Sequence, residues 1–273
     1  MIVIQDRGMD MPRILLSMYD AVWRGHAVNA RGQLTRNVRN MAIVMPAAVP
    51  PITSFDDRKL SISYCKREWE WYLNADKMDS SIEKHATMWA KLKQPSGEYY
   101  SNYGQYMFSP DELQNQFDYV VDTLIHDPDS RRASMVILKR EHLFKTNTDT
   151  VCTYAINFTL EADVLHMTVM MRSNDVIFGF TNDAFCFWNL MMFVYALLKE
   201  HDPSIRLGTY THITNSMHVY ERHFEMIGKI LAKDKRGYNP YTVPMVRADE
   251  VRAFLARKRA DGAYTAWLTS EQG

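Results

Sequence analysis

The clearest signal along the chain is a change in the period of its apolar positions. Cys152, Tyr154, Ile156, Phe158 and Leu160 alternate with Thr153, Asn157 and Thr159. A period of two predicts a half-buried strand over 152–160, with the first set on one face. Glu161-Ala162-Asp163 turns the chain and Val164 to Met171 forms a second strand, so the pair reads as a hairpin. Elsewhere the period is helical. Leu15, Leu16, Tyr19 and Val22 share one face of a helix over Arg13–Trp23, and Lys59–Leu73 reads as a helix rich in aromatics. Ser109-Pro110-Asp111-Glu112 predicts a helix start, with Ser109 as cap, Pro110 in the first position and Glu112 closing a capping box. Phe117, Val120, Val121 and Leu124 line the face that follows, and Asp127-Pro128-Asp129 ends it. Asp183–Leu198 is apolar on nearly every side and reads as a buried helix, too short to cross a bilayer and interrupted by Asn189. An amphipathic helix follows His218, and Arg247–Lys258 predicts the last one. Met41–Val49 reads as a strand, with turns at Asn29–Gln33 and Ser96-Gly97.

Helices and strands interleave with no repeat and no shift in composition, so the expectation is one α+β domain over residues 1–273. A hydrophobic fraction of 47% supplies a sizeable core. Lys and Arg number 32, as do Asp and Glu, so no global basic field points to direct DNA binding or to an anionic membrane. A phosphorylated substrate must then be held by a local group of arginines. Cys65, Cys152 and Cys186 form no Cys-x-x-Cys pair, which argues against a zinc knuckle and fits a reducing cytoplasm. Residues 1–10 lack the pattern of a signal peptide. His218 and His223 match no trusted metal spacing, so no metal is expected.

Three groups stand out as chemistry. Cys152 on an apolar face reads by default as an inert buried thiol. The hairpin, however, brings residues near 152 and 172 side by side, and a guanidinium at Arg172 favours a reactive thiolate. The two readings balance. Arg131 and Arg132 follow a turn; they are either one internal pair and one solvated side chain, or a phosphate clamp. Glu68 shares a helix face with Tyr64, Trp71 and Tyr72, where desolvation suits a carboxyl to proton transfer, although a surface glutamate is the commoner case.

Six segments, in this order, resemble the thymidylate synthase superfamily and, within it, the phage-type deoxycytidylate hydroxymethylases. They are Arg67–Tyr72, Asn102-Tyr103-Gly104, Asp127–Arg132, Val151-Cys152-Thr153, Met171–Asp183 and His218–His223, across roughly residues 10 to 235. The segment from about 236 to 273 has no counterpart among them. The resemblance implies a mixed sheet packed with helices, with the sheet forming a homodimer interface. It implies that Cys152 is the nucleophile at C6 of a pyrimidine nucleotide, that Glu68 orders water and relays protons, and that Tyr103 helps remove the C5 proton. It assigns the nucleotide phosphate to Arg172 and Ser173, with Arg131 and Arg132 reaching in from the other subunit, and the sugar hydroxyl to His218 and Tyr220. A further N-terminal phosphate arginine falls on Arg31, with Arg36 nearly as good. Asp175, Trp89 and Gly179 take the contacts to the cofactor, 5,10-methylenetetrahydrofolate.

Departures from the synthase pattern point to the substrate. Asp183 stands where uracil-specific synthases carry asparagine. Uracil offers a donor at N3 and an acceptor at O4, which an amide satisfies. Cytosine offers an acceptor at N3 and an amino donor, which suits a carboxyl with one shared proton. The rival is that Asn182 supplies an amide through a one-residue shift. Val151-Cys152-Thr153 replaces Pro-Cys-His, and Met171 replaces glutamine. The polar end, Thr269 to Gly273, favours water over hydride as the finishing reagent, since hydride transfer needs a dry, closed site. Trp89 could still shield the intermediate. The expectation is dCMP 5-hydroxymethylation, for a phage that modifies its DNA precursors. dCMP methylation, CMP hydroxymethylation and thymidylate synthesis are the enzymatic alternatives, and a nucleotide- or RNA-binding homologue is the non-enzymatic one.

Overall fold

The computed structural model describes residues 1–6, 8, 10–30, 32–109, 115–233, 237–239 and 241–270. Its strands, in chain order, are β1 (Ile2–Ile4), β2 (His26–Ala30), β3 (Gln33–Pro46), β4 (Ser134–Val136), β5 (Thr153–Glu161), β6 (Val164–Met171), β7 (Asn174–Asp175) and β8 (Arg206–Tyr220). Its helices are α1 (Met11–Trp23), α2 (Ile62–Asn74), α3 (Met88–Leu92), α4 (Gly104–Met107), α5 (Gln116–His126), α6 (Gly179–His201), α7 (Phe224–Ala232), α8 (Ala248–Leu255) and α9 (Ala263–Thr269). The strands form one mixed sheet in the order β1-β3-β8-β6-β5-β4, with β2 on β3 and β7 on β8. Long β3 and β8 pair antiparallel from Thr35↔Tyr220 to Pro46↔Thr209, while β6 runs parallel to β8.

The predicted hairpin is β5–β6, joined by Ala162 and Asp163, which both have positive φ (49° and 62°). That mirror-image turn matches the right-handed twist of the strands, at some local cost because neither residue is glycine. The predicted alternation holds at Ile156 and Phe158, which are buried, but fails at the start of the strand. A bulge between Thr153 and Ala155 shifts the phase, so that Thr153 is buried and Tyr154 half-buried. An extra residue at this point re-aims the chain where it enters from Cys152.

α6 is the centre of the core. Its side chains from Ala184 to Val194 are all buried, as an apolar run on every face requires. α2 packs against it, with Trp69 edge-on to Phe193 at 5.2 Å. Ser61 caps α2 by accepting from the Tyr64 amide, and Ala75 ends it in a left-handed conformation (φ 50°). α5 carries the predicted buried face of Phe117, Val120, Val121 and Leu124. It begins at Gln116 with Asn115 as cap, whose Oδ1 accepts from the Asp118 amide at 2.7 Å. The expected start at Pro110–Glu112 lies outside the described residues.

The last predicted helix is shorter than expected, α8, and α9 follows it unforeseen. Both dock on the core. The Tyr264 hydroxyl donates to Asn189 Oδ1 at 2.6 Å, and Phe254 stacks on Phe193 at 5.8 Å. Lys66 on α2 lies 4.7 Å above the Trp267 ring and donates to Ser270 Oγ at 3.0 Å.

Candidate active site

Cys152 sits half-buried immediately before β5, and its carbonyl accepts from the Arg172 amide at 2.7 Å. The hairpin therefore places the two residues opposite one another. The Arg172 guanidinium donates Nε to the Val151 carbonyl at 2.9 Å and Nη2 to that of Thr150. It ties down the chain that carries the thiol and leaves Nη1 uncommitted among the described residues. None of the three cysteines is in a disulfide.

Tyr103, at the start of α4, closes over this point. Its hydroxyl oxygen lies 3.4 Å from the Cys152 amide, and its ring stacks on Phe187 with planes 9° apart. Burial, reinforced by the negative potentials of Cys152 and Asp183, pushes its phenol well above its ordinary value, so it stays a neutral hydroxyl.

Glu68 projects from α2 into the same region and is only 4% exposed. Burial raises its carboxyl to about 7, while hydrogen bonds from the phenols of Tyr64 and Tyr72 pull the other way. The Tyr72 hydroxyl reaches Oε1 at 3.2 Å, and Oε2 is buried with no partner among the described residues. Behind Tyr64 stands Trp89, which is buried, donates its indole N–H to the Tyr64 hydroxyl at 2.8 Å and lies 4.9 Å from the Trp71 ring. A carboxyl with a value near neutrality can both give and accept a proton.

Asp183 lies in the second turn of α6. Burial and the negative Glu68 push its carboxyl well above the usual range, and the Asn174 amide, donating to Oδ2 at 3.1 Å, opposes them. Its neighbour Asn182 points elsewhere, since its Oδ1 accepts from the Cys65 thiol at 3.2 Å. The carboxyl of Asp183, not the amide of Asn182, therefore shares its surroundings with Tyr103 and Glu68.

The segment from Arg172 to Asp183 is tightly braced. The Asp175 carboxylate accepts from the amides of Ile177 (3.3 Å) and Phe178 (3.2 Å) and turns β7 into α6. A Cβ at Gly179 would lie 2.3 Å from Asn174 Oδ1, so only glycine leaves that side chain its place. Arg58, 5% exposed, donates to the Ile177 carbonyl at 2.6 Å and to the Thr181 hydroxyl. A single buried arginine gives no periodic signal, and the sequence did not single it out. Ser173 Oγ lies 3.4 Å from His218 Nδ1, and the His218 and Tyr220 rings meet edge-on at 5.0 Å on β8.

The remaining arginines are not brought into this group. Arg131 and Arg132 are exposed ahead of edge strand β4 and have no carboxylate partner among the described residues. Arg31 lies outside the described residues. Arg36 is engaged structurally, donating to the Trp23 carbonyl with its guanidinium 4.5 Å above the Trp23 ring.

Comparison with known proteins decides the kinship of this arrangement. A family model described as thymidylate synthase matches residues 25–258. The chain belongs to the thymidylate synthase family. It is thus a folate-dependent one-carbon transferase. The match runs past the last sequence motif and takes in α8. Deoxycytidylate 5-hydroxymethyltransferase of Enterobacteria phage T6 is 31% identical over 175 residues, covering 62% of this chain and 71% of that protein. A putative thymidylate synthase of Methanocaldococcus jannaschii is 29% identical over 139 residues, covering 49% of this chain and 60% of its own. Thermostable thymidylate synthase A from Bacillus subtilis shares the fold, with a TM-score of 0.68 at 19% identity over 83% of this chain and 85% of that one.

Proposed function

We propose that this family member is a deoxycytidylate 5-hydroxymethyltransferase, which adds a one-carbon unit to C5 of dCMP and completes it with water. The observation that carries the reading is the half-buried Asp183 carboxyl, which accepts from Asn174 at 3.1 Å and which desolvation and the neighbouring Glu68 push well above the usual carboxylate range. A neutral carboxyl donates from one oxygen and accepts at the other, which matches N3 and the amino group of cytosine. Uracil presents the opposite pair. The wrong base would leave buried polar groups unpaired, and that discriminates strongly.

In this reading Cys152 attacks C6, and the electron pair of the 5,6 double bond makes C5 nucleophilic. Arg172 Nη1 and Ser173 hold the phosphate, and His218 and Tyr220 hold the sugar hydroxyl. The proposed one-carbon donor is 5,10-methylenetetrahydrofolate, which when bound supplies a unit at the oxidation level of formaldehyde. The residues fit it. Asp175 is half-buried with oxygens that accept from the backbone amides of Ile177 and Phe178, Trp89 and Trp71 form an aromatic wall, and Gly179 keeps the entrance to α6 free of a side chain. Glu68, with its open Oε2, holds the water and passes protons. Tyr103, kept neutral, assists removal of the C5 proton by hydrogen bonding rather than as a phenolate.

The reading includes a homodimer in a reducing cytoplasm, with Arg131 and Arg132 crossing to the partner's phosphate. One sheet face supports it, because His166, Thr168 and Met170 stand half-buried beside Thr159, Asn157 and Ala155. Buried Trp89 favours the second reading, dCMP methylation, by offering an apolar shield.

The test is a product assay with methylenetetrahydrofolate and dCMP, dUMP or CMP, read by mass spectrometry and dihydrofolate absorbance. A hydroxymethyl gain on dCMP without dihydrofolate is expected. A methyl gain with dihydrofolate favours the second reading, product from dUMP alone overturns the role of Asp183, and no product from any of them points to a binding homologue. Cys152→Ser is expected to lose the product altogether, and unchanged turnover would remove Cys152 from the mechanism.

A further inference from the structure

Asp183 reads the base only if its proton is on the correct oxygen. A carboxyl whose two oxygens were equivalent could present its proton to either side, and so could accept uracil as well as cytosine. The structure contains a device that breaks this equivalence. Asn174, 4% exposed on β7, donates one Nδ2 hydrogen to Asp183 Oδ2 at 3.1 Å. Its Nδ2 also lies 3.2 Å from His212 Nε2 on β8. The His212 Nδ1 in turn lies 2.8 Å from the Tyr210 hydroxyl. His212 is fully buried, and burial holds its ring down at about 3, so it is a neutral imidazole with one donor and one acceptor nitrogen.

One hydrogen-bond pattern links all four groups, with Met171 Sδ, 3.2 Å from the same Nδ2, a weaker acceptor than the carboxyl oxygen or the imidazole nitrogen. Nδ1 of His212 carries the proton and donates to the Tyr210 oxygen, which leaves Nε2 as an acceptor. Asn174 Nδ2 gives one hydrogen to that Nε2 and the other to Asp183 Oδ2. The opposite side of the amide is fixed as well, because Asn174 Oδ1 occupies the space that the missing Cβ of Gly179 leaves open. Phe180 packs edge-on against the His212 ring at 5.0 Å and closes the network from α6.

We infer that Asn174, oriented by His212 and Tyr210, is a specificity-determining positioning residue: it fixes Asp183 Oδ2 as the acceptor oxygen and confines the shared proton to Oδ1. The base that fits presents an acceptor to Oδ1 and a donor to Oδ2, which is the N3 and amino edge of cytosine. Uracil requires the proton on Oδ2, where it would compete with the bond from Asn174. The inference rests on the deoxycytidylate reading and explains how one carboxyl can read cytosine without also reading uracil. The ionisable groups around Asp183 are Glu68 and Tyr72 from α2, Tyr103 from α4, Cys186 on α6 and Tyr210 from β8. Among these Asn174 is the neutral donor that orients Asp183.

The test is the ratio of kcat/KM for dCMP to that for dUMP in the wild type, Asn174→Ala and His212→Phe, with thermal unfolding of each. A merely structural role lowers both rates together and leaves the ratio alone. The expected result is a fall in the ratio of about tenfold or more in Asn174→Ala. His212→Phe, which removes the Nε2 acceptor without touching Asp183, is expected to move it the same way by less. A wild type that selects dCMP, with the ratio unmoved in both variants, overturns the inference alone. A wild type that selects dUMP overturns the deoxycytidylate reading, and with it the polarity assigned to Asn174.

Discussion

Two carboxyls, the buried Glu68 and the half-buried Asp183, lie close enough to feel one another's charge, and they are held in different ways. Glu68 reaches in from α2 and receives hydrogen bonds from two phenols, with one oxygen left open. Asp183 reaches in from α6 and receives an amide whose orientation is fixed from behind. Burial raises both above their ordinary range. The open oxygen of Glu68 suits a group that exchanges protons with water, whereas the braced oxygen of Asp183 suits a group that must present one fixed pattern to a base. Desolvation in the same direction thus supports different tasks, according to what satisfies the remaining lone pairs.

The largest expected effect comes from making the second carboxyl into an amide. In an Asn174→Ala background, which removes the donor that would oppose an amide nitrogen at the Oδ2 position, Asp183→Asn presents uracil's complement in place of cytosine's. The dCMP to dUMP ratio of kcat/KM is expected to fall by a factor on the order of 10⁴, with dUMP becoming the better substrate. Competition assays with both nucleotides measure it. A variant that still prefers dCMP would separate Asp183 from base reading.

The matching change on the other side should leave that ratio alone. Glu68→Gln keeps the shape but removes the exchangeable proton, so kcat for dCMP is expected to drop by roughly 10²–10⁴ while the preference for dCMP persists. If the preference shifted as well, the two carboxyls would not have separate tasks.

How much of this contrast could be read from the chain depends on the range of the forces involved. The β5–β6 hairpin, α1 and α2 follow from apolar period and α6 from an unbroken apolar run, because each buries a continuous face or the whole helix. The meeting of Cys152 with Arg172 follows from hairpin geometry. The bulge at Thr153 does not, since an extra residue in a ladder leaves the local pattern almost unchanged. Nor does α9, whose seven residues are stabilised by Asn189 and Lys66 far away in sequence rather than by a repeat of their own. Within the site, Glu68 and Asp183 stood out by their neighbours and by kinship. Asn174, His212, Tyr210 and Arg58 did not, because a buried hydrogen-bond chain between β7, β8 and α6 has no sequence period. Its one local trace is Gly179, which makes room for Asn174.

Stability offers a smaller but independent measure. A carboxyl raised from 4.5 to about 7 keeps a proton in the folded state that the unfolded chain gives up. Its cost to stability is absent below pH 4.5, grows as pH rises through the interval and is complete above about 7. Glu68→Gln removes that cost. Relative to the wild type, the variant is expected to gain about 3 kcal/mol of unfolding free energy between pH 4 and pH 8. Denaturant unfolding at the two pH values measures the difference. A gain that is the same at both would show that Glu68 is not held protonated by burial.

The smallest effect tests the phenols. Tyr72 donates to Glu68 Oε1 at 3.2 Å and stabilises the charged form, so its loss should let burial act with less opposition. In Tyr72→Phe the titration of Glu68 moves upward from about 7, by a fraction of a pH unit to one unit, since one hydrogen bond of about 1 kcal/mol is removed and Tyr64 remains. The pH profile of kcat for dCMP should show its transition near neutrality displaced upward by that amount, with the dCMP to dUMP ratio unchanged. Glu68 meets Tyr72 one helical turn away on α2, so the variant changes the carboxyl's surroundings without altering its approach to the site. A downward displacement would mean that Tyr72 supports the protonated form, and the assignment of Glu68 as the open, proton-exchanging partner of Asp183 would have to be reversed.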